Sequence, residues 1–298
     1  MNYAIVINEA AGSVKAGTEA ISSWLEQHRT NPDLHLVNPK RIPDLLNTLK
    51  QQGKTRIALG GGDGTLSHAA DFFVTNDIEM VPLPLGTLNH FARDLGIATD
   101  PAQWFETIAH GNSTAVDMGQ INGRLFLNNF SVGLYPRLVS ERQTLQDERI
   151  LGSKRLATFW TSCKLLLAEH RTYHITFQHD GAGGLYRKCQ AFMVSNNLYT
   201  GTEDMLTGRE TLADGKLILY LPEEISPGLL VNMATAFVNN NLAECPGLDL
   251  IQTQSLTMKF RQKRIRVAVD GELTRMRSPL EVKVLPRKLK VVTPAGGD

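Results

Sequence analysis

The sequence has little cysteine, no long apolar run and almost no net charge. Its three cysteines, Cys163, Cys189 and Cys245, lie far apart, so neither a disulfide framework nor a cysteine metal site is expected. No stretch reaches the roughly 18 apolar residues of a membrane-spanning helix, and residues 1–7 lack the basic flank of a signal peptide. A formal net charge of +1 gives no general attraction to nucleic acid. These absences predict a cytoplasmic protein that binds no nucleic acid.

The hydrophobic pattern divides the chain into two parts. From Tyr3 to Gly96, short apolar runs alternate with segments of helical spacing, which predicts an α/β domain with a largely parallel sheet. From about Leu125, period-two alternation and turn residues predict an antiparallel β-sandwich. We therefore expect an α/β domain over residues 1–122 and a β-sandwich domain over residues 123–286. The tail, residues 287–298, is expected to join the first domain.

One long amphipathic segment interrupts the β pattern of the second part. Residues Lys154–His170 carry their apolar side chains on one face of a predicted helix. Such a stripe is more often a cover for a sheet than a membrane anchor. We therefore expect this helix to cover the sandwich.

A glycine-rich segment, Leu59–Thr65, is the most distinctive feature of the sequence and reads Leu-Gly-Gly-Gly-Asp-Gly-Thr. It follows the apolar run Arg56–Leu59 and precedes Leu66–Phe73, whose apolar residues have helical spacing. The pattern predicts a strand, a glycine loop and a helix. Glycine has no Cβ, so bare N–H groups can surround phosphate oxygens, and a helix N-terminus adds partial positive charge.

Two simpler interpretations of this segment are less favourable. A tight turn without a ligand would need one glycine, whereas four glycines surround Asp63. The patterns GxxxxGK[ST] and GxGxxG are both absent, so the segment is neither a P-loop nor a dinucleotide fingerprint. It predicts a phosphate-binding loop of another type.

Further along the chain, three short motifs stand at predicted turns. Gly86–Asn89 follows an apolar strand, and Thr87 is expected at the N-cap of the next helix, where its hydroxyl would bond the helix or a phosphate. In a parallel sheet this loop would lie beside the first one, beyond the strand C-termini. Asp270-Gly271-Glu272 and Asp214-Gly215 each stand between strand-like runs, and on their own they predict hairpin turns.

The two glycine loops together resemble those of the diacylglycerol kinase catalytic domain, and more closely those of compact bacterial lipid kinases that consist of that domain. The resemblance rests on Gly61–Thr65 and Pro84–Arg93, and it extends to Asp214-Gly215 and Asp270-Gly271-Glu272. It implies an N-terminal NAD-kinase-like α/β domain followed by a C-terminal antiparallel β-sandwich domain. It also implies an ATP-dependent lipid kinase that uses Mg²⁺ and phosphorylates the hydroxyl of a diacylglycerol-like lipid.

The resemblance also implies a role for individual residues. Glu272 matches the proton acceptor for the lipid hydroxyl, and Asp63 matches a residue essential at the phosphates. Asp214 matches a carboxylate that helps to bind a structural magnesium ion, with backbone oxygens near Thr211 and Lys216 as further ligands. The residues expected to bind ATP are Gly61, Gly62, Asp63, Gly64, Thr65, Leu66, Ser67, Gly86, Thr87 and Asn89.

Some positions depart from the family pattern and leave two alternatives open. The pair Ser67-His68 replaces the usual Asn-Glu, and His90 replaces the usual Asp. One alternative is an NAD kinase, since GGDGT also occurs in that family. The other is a catalytically silent regulator that binds a nucleotide or a lipid. If the protein is a lipid kinase, it must touch a membrane transiently, and the basic runs Lys259–Arg266 and Arg287–Lys290 are candidates for that contact.

Overall fold

The computed structural model describes most of the chain in two compact units. The first unit comprises Met1–Met118, Thr211–Asp214 and Leu285–Asp298, and the second comprises Gly119–Glu210 and Gly215–Val284. The predicted helix Lys154–His170 lies outside the described residues. The described ranges are residues 2–15, 18–19, 21–23, 33–87, 89–133, 172–181, 183–202, 205–209, 211–238 and 244–295.

The first unit is built on a parallel sheet in the order β2–β1–β3–β4–β18. Parallel strands with helices on both faces are buried on both sides, and residues 4–7 of β1 are accordingly fully buried. The predicted α/β domain is confirmed. Its elements are β1 (Tyr3–Asn8), β2 (Asp33–Val37), α1 (Ile42–Gln51), β3 (Arg56–Gly61), α2 (Asp63–Asn76), β4 (Glu79–Pro84), α3 (His90–Asp94), α4 (Trp104–His110), the start of β5 (Asn112–Ile121) and the end of β18 (Leu280–Thr293).

The strand register of this sheet brings the predicted loops together. Gly61 of β3 is paired with Pro84 of β4, and Ile7 of β1 is paired with Gly60 of β3. All three strands run in the same direction, so their carboxyl ends meet at one edge of the sheet. Asn8 and the two glycine loops therefore lie at neighbouring positions along that edge.

The second unit is an antiparallel sandwich, as predicted. One sheet has the order β14–β13–β10–β7–β16–β17, and the opposing sheet includes β18, β15, β8 and β9. Its further strands are β6 (Arg124–Phe126), β7 (Asn129–Val132), β8 (Tyr173–His179), β9 (Leu185–Cys189), β10 (Phe192–Asn196), β11 (Thr200–Thr202), β12 (Met205–Gly208), β13 (Leu217–Pro222), β14 (Leu248–Thr253), β15 (Ser255–Phe260), β16 (Arg264–Val269) and β17 (Glu272–Arg277), with helix α5 at Pro227–Val238.

Aromatic side chains fill the space between the two sheets. Phe192 meets Phe130 and Phe177 edge-on, with ring centroids 6.5 and 5.7 Å apart, an arrangement that aromatic quadrupoles favour. The outer face of the six-stranded sheet carries a second cluster, where Leu229 of α5 packs near Tyr220 of β13. Among the described residues, no helix has the length and apolar character needed to span a bilayer.

Three local predictions differ from the structure. Strand β3 continues through Gly61 and helix α2 begins at Asp63, so Gly62 alone joins them. Asp214-Gly215 does not connect two paired strands, because β12 pairs with β11 whereas β13 pairs with β10 and β14. The segment Thr211–Asp214 belongs to the first unit, whereas the sequence placed it within a continuous second domain.

Candidate active site

The first glycine loop is a tight junction between β3 and α2. Gly62 caps the helix in an extended conformation, and its carbonyl accepts a hydrogen bond from Thr65 N at 2.9 Å. A Cβ on Gly61 would lie 2.6 Å from the Cβ of Thr65, closer than side-chain atoms approach. Glycine is therefore required at Gly61.

Asn89 shapes the second loop. Its side chain accepts a hydrogen bond from Gly86 N and donates one to Gly86 O, both at 2.8 Å. Asn89 itself has a left-handed backbone with φ of 54° and is the N-cap residue of α3. The expectation that Thr87 is the N-cap was wrong, because the loop turns two residues later, and Thr87 is exposed.

The two loops pack backbone against backbone. A Cβ on Gly86 would lie 2.3 Å from the Cα of Gly62, so only glycine permits this approach. Leu85 N also donates to Gly61 O at 3.1 Å. The result is one continuous rim of backbone, without side chains at Gly62 and Gly86.

The Asp63 carboxylate joins the first loop to the helix that follows the second. Its two oxygens accept hydrogen bonds from His90 N at 3.1 Å and from Phe91 N at 2.9 Å. The sequence placed Asp63 at the phosphates, and the structure assigns these oxygens a role in fixing α3. Asp63 therefore positions one loop against the other.

Asn8, at the end of β1, completes this edge of the sheet. Its Nδ2 donates to Thr65 Oγ1 at 2.8 Å, and its Oδ1 accepts from Ala10 N at 2.9 Å. Asn8 is buried, so both bonds are sheltered from water. Asn8 was not among the predicted site residues, although a polar residue that ends a buried strand is a usable signal.

In the second unit, Asp270 and Gly271 form the predicted hairpin turn. Both residues have positive φ, 46° and 84°, and Val269 is paired with Glu272 across the turn. Positive φ at both central positions is the type I′ geometry that Asp-Gly favours. The hairpin prediction is confirmed, and it makes Glu272 the first residue of β17.

Glu272 has a defined cationic partner. Its Oε2 lies 2.9 Å from an Nη2 of Arg124, and the two side chains are 39% and 32% exposed. Solvent screens a pair of this exposure, so its contribution to stability is small. What the contact provides is a fixed direction for a carboxylate that solvent can still reach.

Comparison with known proteins identifies the first unit. Residues 2–121 match the family model of the diacylglycerol kinase catalytic domain. Residues 2–121 belong to the diacylglycerol kinase catalytic domain family. The match covers β1 to β5, and with them both glycine loops.

One relative of this chain extends the likeness beyond residue 121. The "Probable lipid kinase YegS-like" of Pseudomonas aeruginosa PAO1 is 29% identical over 258 residues, which cover 82% of this chain and 78% of that protein. A protein of the same name from Pseudomonas fluorescens is 35% identical over 102 residues, 34% of this chain and 33% of that protein. The family match is to a diacylglycerol kinase domain, and both relatives carry the name of a lipid kinase.

A solved structure has the same fold. A diacylglycerol kinase from Bacillus anthracis str. Sterne superposes with a TM-score of 0.67 at 17% identity and covers 98% of this chain and 96% of that chain. At this identity the likeness concerns the fold. It confirms an α/β domain followed by a β-sandwich.

Not every residue predicted to bind ATP has a side chain that could reach a ligand. Leu66 is fully buried and Ser67 nearly so, so Leu66 can contribute only its backbone. His68, which replaces the usual Glu, places its Nδ1 3.0 Å from Gly64 O within the first turns of α2. The groups that this loop can present are therefore mainly backbone groups, together with the Thr65 hydroxyl.

The predicted magnesium ligands have a donor set that suits this ion. Asp214 is exposed, and Mg²⁺ usually binds one or two carboxylates while it keeps several waters. Thr211 Oγ1 accepts from Ala213 N at 3.2 Å, and Lys216 O accepts from Asn197 N at 3.0 Å. Within the described ranges, His, Cys, Asp and Glu side chains form no group of three, so a magnesium site here would depend on Asp214 and peptide oxygens.

Proposed function

We propose that the protein is an ATP-dependent lipid kinase that transfers the γ-phosphoryl group to the hydroxyl of a diacylglycerol-like lipid. The product would be a phosphatidate-like lipid. The observation that carries this proposal is the rim of bare backbone at Gly62 and Gly86, within residues that belong to the diacylglycerol kinase catalytic domain family. The lipid-kinase names of the relatives support the acceptor class.

The first unit supplies the ATP-binding part of this function. The N-terminus of α2 presents N–H groups and partial positive charge, a combination that stabilises phosphate. Glycine at 61, 62 and 86 lets the backbone approach the phosphate oxygens. Asp63 and Asn89 hold the two loops in place through hydrogen bonds to backbone groups.

Glu272 is the proposed base of the reaction. The lipid hydroxyl oxygen attacks the γ-phosphorus, the bond from that phosphorus to the bridging oxygen breaks, and ADP leaves. The hydroxyl proton passes to the Glu272 carboxylate. A positioned carboxylate contributes about 10²- to 10⁴-fold to such a step.

Asp214, with the peptide oxygens near Thr211 and Lys216, is the proposed holder of a magnesium ion. A magnesium ion bound there would offset the negative charge of the Asp214 carboxylate and stabilise the loop that carries it. Phosphoryl transfer is catalysed mainly by positioning and electrostatics, to which Glu272 adds an acceptor for the hydroxyl proton.

The test is transfer of label from [γ-³²P]ATP to a panel of acceptors. The panel contains diacylglycerol, monoacylglycerol, phosphatidylglycerol, ceramide and a sphingoid base in mixed micelles, together with NAD⁺. Labelled lipid, with diacylglycerol as the best acceptor, is the expected result. Labelled NAD⁺ would identify an NAD kinase instead.

A third outcome separates catalysis from binding. ATP binding by calorimetry without transfer to any acceptor would indicate a silent regulator, the alternative suggested by Ser67, His68 and His90. The assay is run with and without added Mg²⁺, and dependence on the ion is expected.

A further inference from the structure

A buried arginine, Arg209, lies at the centre of a polar cluster in the second unit. It is 4% exposed and follows strand β12. Burying a guanidinium is costly unless hydrogen bonds replace its hydration. The partners that replace this hydration indicate what Arg209 does.

Arg209 binds the connection between β6 and β7. Its Nη1 donates to Leu127 O and to Asn196 O, both at 2.9 Å, and its Nη2 donates to Asn128 Oδ1 at 2.7 Å. The Arg209 guanidinium also lies over the ring of Tyr199, 5.7 Å from the centroid. The planar fork of arginine suits such diverging acceptors, whereas a lysine ammonium does not.

The Asp270 carboxylate binds the backbone N–H groups of the same connection. Its carboxylate accepts from Leu127 N and Asn128 N at 2.8 Å and from Asn129 N at 3.1 Å. Its own N–H donates to Asn129 O at 2.9 Å. The segment Leu127–Asn129 therefore has its N–H groups held by Asp270, while Arg209 holds the Leu127 carbonyl and the Asn128 side chain.

Arg209, Asp270 and the segment Leu127–Asn129 form a clamp, and this clamp is connected to Glu272 in two ways. Asp270 is two residues before Glu272 in the same hairpin turn, and Arg124, which contacts Glu272, is three residues before Leu127. A displacement of Leu127–Asn129 would therefore shift the turn that carries Glu272 and the arginine that orients it.

We propose that Arg209 is a positioning residue for Glu272, acting through Leu127–Asn129 and Asp270. This inference rests on the proposed role of Glu272 as the base. Arg209 is buried and its guanidinium hydrogen bonds go to protein groups, so we assign it a positioning role. Loss of its fork moves the carboxylate from its working position, and a misplacement of about 1 Å can cost on the order of 10²-fold in rate.

The test is a double-mutant cycle on the full-length protein. Arg209→Lys is made alone and together with Glu272→Gln, and kcat and the KM for ATP are measured with the best acceptor from the panel. Arg209→Lys alone is expected to lower kcat about 10- to 100-fold and to leave the KM for ATP unchanged. In the Glu272→Gln background, the same change is expected to lower kcat by less than about twofold, since residues that act as a unit are not additive.

The cycle separates the possible failures. An equal loss from Arg209→Lys in both backgrounds would show a general structural role and overturn the proposal. Wild-type kcat in Glu272→Gln alone would remove the base assignment itself, and the Arg209 role with it. A raised KM for ATP with unchanged kcat would also contradict the proposal.

Two further variants keep the result interpretable. Asn128→Ala removes one acceptor of Arg209 but keeps the arginine itself. It tests the same clamp if Arg209→Lys does not fold. Its effect on kcat is also expected to be non-additive with that of Glu272→Gln. Arg187→Lys is the matched control, because Arg187 is an exposed arginine on β9 of the same unit. Its kcat should equal that of the wild type.

Discussion

The Asp63 carboxylate accepts a hydrogen bond from Phe91 N at 2.9 Å, and this bond ties the start of α2 to the start of α3. Helix α3 has five residues, too few to be stable alone. Its own N-cap residue, Asn89, makes no side-chain capping bond, because its amide binds Gly86 instead. Asp63 therefore supplies the capping oxygen from a neighbouring element.

Replacing Asp63 should damage both stability and turnover. In Asp63→Ala the N–H groups of His90 and Phe91 lose a charged acceptor, which costs about 1.5–3 kcal/mol in the free energy of unfolding. The second loop then shifts, and we expect kcat/KM to fall about 10²-fold or more. Asp71→Ala, exposed on the same helix, is the control for both thermal unfolding and lipid phosphorylation. Asp63→Ala with wild-type turnover would contradict the proposed function of the loop.

Replacing Gly86 with alanine tests the contact between the loops. The added Cβ would lie 2.3 Å from Gly62 Cα, and overpacking of this kind costs about 1–3 kcal/mol. Because the displaced backbone is the proposed phosphate cradle, ATP affinity measured by calorimetry should fall about tenfold or more, 1.4 kcal/mol being a factor of ten. Gly183→Ala is the control, since nothing lies within 4 Å of its added Cβ. Unchanged ATP affinity in Gly86→Ala would exclude this rim from the nucleotide site.

Glu272→Gln should separate chemistry from ATP binding. The amide keeps the shape of the side chain but cannot accept the proton of the lipid hydroxyl, so kcat should fall about 10²- to 10⁴-fold. The Kd for ATP should stay within about twofold of the wild-type value. Glu281→Gln, an exposed glutamate at the start of β18, should leave both constants unchanged. If Glu272→Gln weakened ATP binding and spared kcat, the carboxylate would have another role.

The Cys189 thiol should resist modification in the native protein. Burial raises the pKa of Cys189 to about 12, so the reactive thiolate is a fraction of about 10⁻⁴ at pH 8, whereas an unfolded thiol ionises near pH 8.5. Because the native pKa is the higher one, the unfolded state releases its proton first, and Cys189 should lower stability as pH rises from about 8.5 toward 12. Mass spectrometry of the Cys189 peptide after iodoacetamide treatment should show labelling in urea and almost none without it. Equal labelling in both conditions would contradict the buried placement.

The predicted pH dependence of the free energy of unfolding has its own control. Cys189→Ala removes the titrating group, so its free energy of unfolding should lose less than that of the wild type between pH 8 and pH 10. Identical pH dependence in the two proteins would show that the thiol is not the group responsible.

The sequence was sufficient for the features that depend on local chemistry. Hydrophobic periodicity predicted both the α/β domain and the β-sandwich, because a strand of a parallel sheet is buried on two faces and a strand of a sandwich on one. The Asp270-Gly271 turn was predictable because few residue pairs accept positive φ at both central positions. The glycines of the first loop were recognisable because a strand-to-helix junction seldom needs four of them.

Other features depended on contacts that only the folded chain creates. Arg209 gave no sequence signal, because its acceptors come from segments about 80 and 13 residues away. The N-cap of α3 was placed wrongly at Thr87, since the choice depends on Asn89 binding Gly86 across the loop. Asn8 contacts Thr65 only because β1 and β3 are neighbours in the sheet.

Asp63 shows where the two kinds of information meet. Its residue type and its glycine neighbours were enough to indicate a phosphate loop, because that chemistry is local. Its hydrogen bonds to His90 and Phe91 join elements 27 and 28 residues apart, and pairing of β3 with β4 is what brings them together. The sequence by itself determined that a carboxylate stands within a glycine cradle, and the tertiary structure decided that this carboxylate holds the second loop.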